Sequence, residues 1–195
     1  HHCRCIHPWL YWRHFFEQRN TNQPNRWRPV KKFAGIVKES STMIKSTTKS
    51  ANETLELGKK LGTKLMPGDL LLLFGDLGAG KTCLTQGICL GAGLDSDTYI
   101  RSPTFTLINE YPANTPIFHI DLYRLENEAD ISNLGLEEII YSKAITIIEW
   151  SEKLKLEKNP NEFMFGIQER LEIHISSKNE TTREFNFLPL HMTPR

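Results

Sequence analysis

The stretch that decides the fold is Leu70-Leu71-Leu72-Leu73-Phe74-Gly75-Asp76-Leu77-Gly78-Ala79-Gly80-Lys81-Thr82. Its five consecutive apolar residues predict a strand that is buried on both faces of a parallel sheet. Residues 75–82 then match the phosphate-loop pattern G-x-x-x-x-G-K-[ST], which requires a strand before it and a helix after it. We expect that helix to run to about Leu90. The stretch therefore predicts a strand–loop–helix unit that binds the phosphates of a nucleotide.

The residue types of this loop fit phosphate chemistry. Glycines let consecutive backbone N–H groups point inward at phosphate oxygens, and the N-terminus of the following helix adds positive potential. Lys81 is expected to reach the β- and γ-phosphates, and the Thr82 hydroxyl is expected to ligate Mg²⁺. Asp76 is unfavourable inside such a loop, because its carboxylate repels phosphate unless it points away or has a partner.

Two predicted strands further along the chain end in a carboxylate. Residues 145–149 are mostly apolar and end in Glu149, and residues 117–121 end in Asp121. Both acids are candidates for the metal. Because its strand is the more apolar, we assign Glu149 to Mg²⁺ and Asp121 to orienting the attacking water or the surroundings of the metal. His119 and Asp121 share one face of their strand by its period of two.

The loop Arg101-Ser102-Pro103-Thr104-Phe105 follows the predicted phosphate-loop helix. Many nucleotide switches place a γ-phosphate sensor at this point. The Ser102 and Thr104 hydroxyls can contact a phosphate or a metal-bound water, and Pro103 stiffens the loop. A rigid turn with no role in binding is the alternative.

The remaining pattern alternates helix and strand, which predicts an α/β fold, a three-layer sandwich like that of P-loop NTPases with a mostly parallel central sheet. Ser50 and Glu53 form a capping-box pattern at the start of a helix that Pro67 and Gly68 close. Further strands are predicted at 105–111, 117–122, 145–149, 171–175 and 185–188, and helical segments at 126–132 and 135–142.

Charge divides the 195 residues into two parts. Residues 1–45 carry nine Lys/Arg and two acids, and the rest carries 15 basic and 21 acidic residues. We predict a basic, disordered or non-native N-terminal extension at 1–45 and a P-loop ATPase domain at 46–190. An organelle transit peptide and a nucleic-acid-binding arm are the alternatives for the extension.

Composition and cysteine content exclude several protein classes. The chain is 39% hydrophobic and 24% charged, which excludes a collagen, a disordered chain and a disulfide-dense toxin. No apolar run reaches the ~18 to 20 residues of a spanning helix, so we expect no membrane partner. The four cysteines suggest no disulfide framework. We therefore expect a cytoplasmic protein, or one of a plastid or other organelle if residues 1–45 are a transit peptide.

Four blocks carry a resemblance to a known family: Gly-Asp-Leu-Gly-Ala-Gly-Lys-Thr at 75–82, Ser-Pro-Thr-Phe at 102–105, His119-x-Asp121-x-Tyr123-Arg124-Leu125, and Glu149-Trp150. In this order and spacing they closely resemble the bacterial TsaE (YjeE) family over roughly residues 50 to 185. That family is the ATPase component of the machinery that places threonylcarbamoyl on N6 of adenosine 37 in tRNAs reading ANN codons.

The resemblance implies a protein that binds ATP and Mg²⁺ and docks on a TsaD-like and TsaB-like pair, reaching tRNA only through that complex. Hydrolysis would reset the complex between rounds, while the transfer chemistry belongs to TsaD. Because no arginine except Arg101 lies in the loops expected to flank the γ-phosphate, we expect a slow ATPase that partners stimulate.

The resemblance also implies roles for individual residues. The Mg²⁺ ligands are Thr82 and Glu149, and the catalytic and switch positions are Asp121 and Thr104 together with Lys81. Nucleotide-binding positions are Ser50 and Thr54 beside the adenine, and the cradle Gly75, Gly78, Ala79, Gly80, Lys81, Thr82 and Cys83. Trp150 is a further nucleotide-binding position, packed under the nucleotide or part of the docking surface, and an ordinary core tryptophan is the alternative. The segment 181–183 also aligns near the nucleotide.

Two other functions use the same phosphate loop. A small-molecule kinase would need an arginine-rich lid, and the arginines after residue 45 are scattered. A nucleotide-gated binding module would bind without useful turnover. A GTPase is disfavoured because neither an [NT]-K-x-D motif nor a D-x-x-G motif occurs.

Overall fold

The computed structural model describes residues 43–190, so most of the predicted extension at 1–45 lies outside the described residues. The described chain forms nine strands and four α-helices, in the order β1 (Ile44–Thr48), α1 (Ala51–Gly62), β2 (Leu70–Phe74), α2 (Lys81–Gly91), β3 (Ile108–Tyr111), β4 (Ile117–Asp121), α3 (Glu128–Ser132), α4 (Leu136–Ile140), β5 (Ile145–Glu149), β6 (Lys155–Leu156), β7 (Asn159–Phe163), β8 (Arg170–Ser177) and β9 (Arg183–Leu190). Strand β1 therefore begins two residues inside the segment that the charge pattern assigned to the extension.

Seven strands form one sheet in the order β1-β9-β8-β2-β5-β4-β3. The central strands β8, β2, β5 and β4 are mutually parallel. Strand β9 is antiparallel to β8 and to β1, and β3 is antiparallel to β4. Because parallel strands end at the same edge, the segment after β2 and the last residues of β4 and β5 meet there. This edge carries the candidate site.

Both faces of the sheet are covered, which gives three layers. In β2, Leu71 and Leu73 pack with α1 and α2, including Leu84 and Ile88. The alternate residues of β2 pack with α3, α4 and the segment around Phe163 on the opposite face. All five residues of β2 are buried, as the apolar run predicts for a strand covered on both faces.

Helices α1 and α2 approach so closely that four glycines are required between them. A Cβ on Gly58 would lie 2.5 Å from the Leu84 carbonyl oxygen, and one on Gly87 would lie 2.2 Å from the Leu55 carbonyl oxygen. Gly62 and Gly91 show the same crowding one turn further along. The close contact seats α1 firmly on the helix that follows the phosphate loop.

Several predicted elements differ from the structure in extent. Helix α1 ends at Gly62, a few residues before the predicted end at Pro67 and Gly68. Its start agrees with the prediction, since the Ser50 side chain accepts a hydrogen bond from Glu53 N. The strand predicted at 105–111 begins only at Ile108, because the chain turns through 104–106 and Leu107 has a left-handed φ of 64°. Strand β1 and the β6–β7 hairpin were not predicted. Within residues 43–190, no helix is both long and apolar enough to cross a bilayer.

Candidate active site

The phosphate loop lies between the end of β2 and the start of α2, as the motif predicts. Three of its glycines have positive φ, with 144° at Gly75, 76° at Gly78 and 105° at Gly80. At Gly75 a Cβ would also lie 2.4 Å from the Ile175 carbonyl oxygen on β8. Only glycine satisfies both restrictions, so the loop is held against the neighbouring strand by a close backbone contact.

Lys81, at the start of α2, is 5% exposed and lies within its own loop. Its Nζ donates to the carbonyl oxygens of Gly75 and Asp76, the latter at 3.0 Å. The same Nζ lies 3.6 Å from the centroid of the Trp150 ring. Burial lowers the pKa of Lys81, and the negative charge of Glu149 is the largest effect that opposes this. The ammonium is therefore desolvated and held at the carboxyl edge of the sheet.

Glu149, the last residue of β5, is 2% exposed and joins three elements. Its Oε2 accepts a hydrogen bond from Thr82 Oγ1 at 3.1 Å, although the two residues are 67 positions apart. Its Oε1 accepts from Thr85 Oγ1 at 3.4 Å and lies 2.8 Å from His119 Nε2. The two residues predicted to ligate Mg²⁺ are thus in direct contact.

Asp121 ends β4 directly opposite Glu149 in the strand register and is 2% exposed. Its Oδ2 accepts hydrogen bonds from the hydroxyls of Ser102 and Thr104, the latter at 2.8 Å. Its Oδ1 accepts from the backbone N–H of Tyr123 at 2.9 Å. The carboxylate therefore fixes the Ser102–Thr104 loop beside the phosphate loop.

The Ser102–Thr104 loop continues into an exposed aromatic residue. Phe105 is 86% exposed, and the Arg124 guanidinium lies 4.8 Å from its ring centroid. In the phosphate loop, Leu77 is 76% exposed. Exposed large apolar side chains close to a candidate site are typical of interaction surfaces.

Trp150 follows Glu149 with a left-handed φ of 61°. Its half-buried ring packs against Tyr123, with 4.8 Å between the ring centroids, and against Lys81 on another side.

Arg183, at the start of β9, reaches the other end of the site. Its Nη2 lies 3.5 Å from the Gly78 carbonyl oxygen, while Nη1 donates to the carbonyl oxygens of residues 179, 180 and 182.

The residues expected beside the adenine occupy the start of α1. The Ser50 hydroxyl caps the helix, and Thr54 is 2% exposed with its hydroxyl 2.7 Å from that of Thr48. Cys83 Sγ donates to the Ala51 carbonyl oxygen at 3.3 Å, which brings this helix start next to the phosphate loop. The Thr54 hydroxyl is committed to internal hydrogen bonds with the Thr48 hydroxyl and the Ser50 carbonyl oxygen.

The donor atoms present fit Mg²⁺. Residues 43–190 contain no cluster of three or more His, Cys, Asp and Glu side chains able to hold a metal by themselves. Mg²⁺ in phosphate sites is typically bound by one or two protein oxygens, with phosphate and water completing its shell. The contacting oxygens of Thr82 and Glu149 are of this kind.

The tertiary structure adds residues that sequence reasoning missed. The strand period places His119 on the same face as Asp121 but indicates no role for it, and no motif includes Thr85. Residue spacing indicates both positions. His119 lies two residues before Asp121 on one strand face, and Thr85 lies three residues after Thr82 on one helix face. Ser102 and Thr104 were predicted together, and the structure brings both to Asp121.

The fold and this loop define a P-loop nucleotide-binding α/β protein. Residues 48–185 match the sequence model of the family described as "Threonylcarbamoyl adenosine biosynthesis protein TsaE". The chain therefore belongs to the TsaE family, which functions in the biosynthesis of threonylcarbamoyladenosine in tRNA. This confirms the family and the fold class predicted from the sequence.

Curated relatives and a solved structure agree with this assignment. The TsaE protein of Bacillus subtilis is 37% identical over 145 residues, which cover 74% of this chain and 84% of the relative. The TsaE protein of a Nostoc species is 49% identical over 119 residues, covering 57% of this chain and 70% of the relative. The crystal structure of YdiB from Bacillus subtilis is similar with a TM-score of 0.63 and 30% identity, covering 78% of this chain and 89% of YdiB.

Proposed function

We propose that this chain binds ATP and Mg²⁺ at residues 75–82 and hydrolyses ATP as a subunit required for N6-threonylcarbamoylation of adenosine 37 in ANN-decoding tRNAs. The observation that carries the proposal is the 3.1 Å contact between Thr82 Oγ1 and Glu149 Oε2. It joins the last residue of the phosphate-loop motif to the carboxylate at the end of a neighbouring parallel strand. This is the pairing that phosphate-loop proteins use to hold the metal.

Thr82 and Glu149 would hold the Mg²⁺, which when bound neutralises negative charge on the β- and γ-phosphates. Lys81 contributes the cation of the loop. To reach a phosphate, its Nζ exchanges the carbonyl oxygens of Gly75 and Asp76 for phosphate oxygens. The exchange is favourable because a phosphate carries a full negative charge, whereas the carbonyls are dipoles.

Asp121 is the catalytic position that we propose, and Thr104 is the switch position. Asp121 keeps further lone pairs beyond the three hydrogen bonds that it accepts, so it is able to accept a proton of the attacking water as well. Thr104 and Ser102 share the Oδ2 atom. A nucleotide that draws either hydroxyl toward its γ-phosphate therefore changes the conformation of the loop that carries the exposed Phe105.

Slow hydrolysis by the isolated chain is supported by what the nearby arginines contact. Arg101 lies 5.9 Å from the Tyr99 ring centroid and Arg124 lies over Phe105, and both of these aromatic rings are exposed. A cation supplied in trans to the transition state is worth ~10³ to 10⁵ in rate. We propose that a TsaD-like and TsaB-like pair supplies this stimulation by docking near Phe105.

Single-turnover hydrolysis of ATP, measured with and without the TsaD–TsaB pair, tests the proposal. We expect slow phosphate release alone and a rise of at least tenfold with the pair. Thr82→Val, which keeps the side-chain shape but removes the hydroxyl, is the matched loss-of-function control. Equal and fast rates in both conditions contradict the partner-dependent scheme. Binding without turnover under either condition would instead indicate a nucleotide-gated module, and phosphorylation of an added metabolite would indicate a kinase.

A further inference from the structure

His119 lies in the middle of β4 with no exposed surface, on the face of the sheet that α2 covers. Its Nε2 atom is 2.8 Å from Glu149 Oε1. Its Nδ1 atom is buried and has no hydrogen-bond partner among the described residues. A buried ring with one nitrogen paired and the other unpaired is unusual, because buried polar atoms are nearly always hydrogen-bonded.

The chemistry of the contact fixes the direction of the hydrogen bond. An ionised carboxylate only accepts, so the proton of a neutral His119 ring lies on Nε2 and points at Glu149. Nδ1 is then left as a buried acceptor without a partner among the described residues. The cost of that unpaired acceptor is offset by a strong hydrogen bond to a charged group at the other nitrogen.

The two carboxylate oxygens of Glu149 therefore have different partners. Oε1 is held by His119 Nε2 at 2.8 Å. Thr85 Oγ1 lies 3.4 Å from the same oxygen and is the weaker contact, because that hydroxyl also donates to the Lys81 carbonyl oxygen at 3.1 Å. Oε2 faces Thr82 Oγ1 alone among the contacts of the described chain. A carboxylate restrained in this way cannot rotate freely about its last bond, so one oxygen stays directed at the phosphate-loop threonine.

We propose that His119 is a positioning residue that orients the Glu149 carboxylate toward Thr82 for Mg²⁺. This inference rests on the proposed function, because it takes Glu149 as a ligand of the ion. Hydrogen bonds to a metal-binding carboxylate of this kind typically change metal affinity 10- to 100-fold when they are removed. A histidine that only filled space in the core would have no effect on the metal.

Two variants of the full chain separate positioning from packing. His119→Leu fills a similar volume without a donor, while His119→Gln offers an amide N–H at a similar reach. Thr146→Val is the control. Thr146 is 1% exposed on the adjacent strand, lies on the opposite face, and has a hydroxyl with no hydrogen-bond partner within residues 43–190. For each variant, ATP affinity is measured by calorimetry across a Mg²⁺ titration and again with EDTA. The tautomer of His119 in the metal-free wild type is read from ¹⁵N NMR, with His119→Gln assigning the signal.

We expect His119→Leu to need roughly 10- to 100-fold more Mg²⁺ for the half-maximal effect on ATP affinity. We expect His119→Gln and Thr146→Val to stay within about threefold of wild type, and all variants to bind ATP equally in EDTA. The wild-type ring should carry its proton on Nε2. A Leu variant with wild-type Mg²⁺ dependence, or a proton on Nδ1, overturns the inference alone. A wild-type protein whose ATP affinity ignores Mg²⁺ overturns the proposed function and the inference together.

Discussion

Replacing Asp121 by Asn tests the proposed division of labour between the two buried acids. The carboxylate accepts from Tyr123 N–H on one oxygen and from the Ser102 and Thr104 hydroxyls on the other. In the variant, the amide oxygen can still accept from Tyr123. The amide NH₂ can donate to the two hydroxyls, because a hydroxyl both donates and accepts. All three contacts therefore survive in the variant, and the fold should be retained.

The magnitude follows from those three contacts. A hydrogen bond to a charged group is worth ~1.5 to 3 kcal/mol, and a neutral one ~0.5 to 1.5 kcal/mol. Part of this loss in hydrogen-bond free energy is offset, because a neutral amide is less costly to bury than a carboxylate. We therefore expect a loss of about 1 to 3 kcal/mol in the free energy of unfolding. Loss of a group that acts on the attacking water should lower hydrolysis ~10² to 10⁴-fold, which is ~3 to 5 kcal/mol on the barrier.

The assay combines single-turnover hydrolysis in the presence of the TsaD–TsaB pair with calorimetric Mg²⁺·ATP affinity and urea unfolding. Asp121→Asn should bind within a few-fold of wild type and lose hydrolysis, whereas Glu149→Gln should lose the Mg²⁺-dependent part of binding. Asp97→Asn, at an exposed position, controls for the loss of one negative charge. A wild-type hydrolysis rate in Asp121→Asn refutes the role given to this residue, and exchanged phenotypes show that the two assignments are reversed.

Three further outcomes are expected. Lys81→Ala should weaken ATP binding by ~2 to 5 kcal/mol in calorimetry, because a desolvated charge pair loses one partner; near wild-type affinity contradicts the phosphate-loop assignment. Gly58→Ala places a Cβ 2.5 Å from the Leu84 carbonyl oxygen, so urea unfolding should show a loss of at least ~1 to 3 kcal/mol. The exposed Asn52→Ala on the same helix should change stability by less than ~0.5 kcal/mol; equal effects contradict the close packing. Burial raises the pKa of Asp69 to about 6, so the unfolded chain releases its proton first and Asp69 lowers stability as pH rises from about 4 to about 6. Asp69→Asn should therefore gain up to ~2 to 3 kcal/mol over wild type between pH 4 and pH 7 in urea unfolding, and a pH-independent difference contradicts this.

Local sequence determined the centre of the molecule. The apolar run at 70–74 has to be covered on both faces, and the phosphate-loop pattern after it specifies both backbone geometry and helix start. The structure shows β2 and α2 where these patterns place them. The position of Glu149 near the phosphate loop could also be predicted from the sequence. It ends an apolar strand, and parallel strands bring their carboxyl ends to one edge of the sheet.

The outermost strand on one side of the sheet, β1, was harder to predict from the sequence. Strand β1 at Ile44–Thr48 lacks a strong apolar pattern, and its residues alternate between exposed and partly buried up to Thr48. It is a strand because β9 offers an unpaired edge that its backbone groups complete. Pairing of this kind depends on hydrogen bonds between main-chain atoms, which side-chain patterns record only weakly.

The sequence by itself determined the fold class, the phosphate loop and the family, because each of these depends on residue types within short segments and on the order of those segments along the chain. Only the tertiary structure decided which side chains meet around Glu149. The contacts of His119 and Thr82 with that carboxylate join residues that are 30 and 67 positions apart. Their meeting depends on the register of β4 against β5 and on the position of α2. Four glycines allow α2 to pack closely against α1. Distances of a few tenths of an ångström between distant segments are set by the packing of the whole core, and no local pattern encodes them.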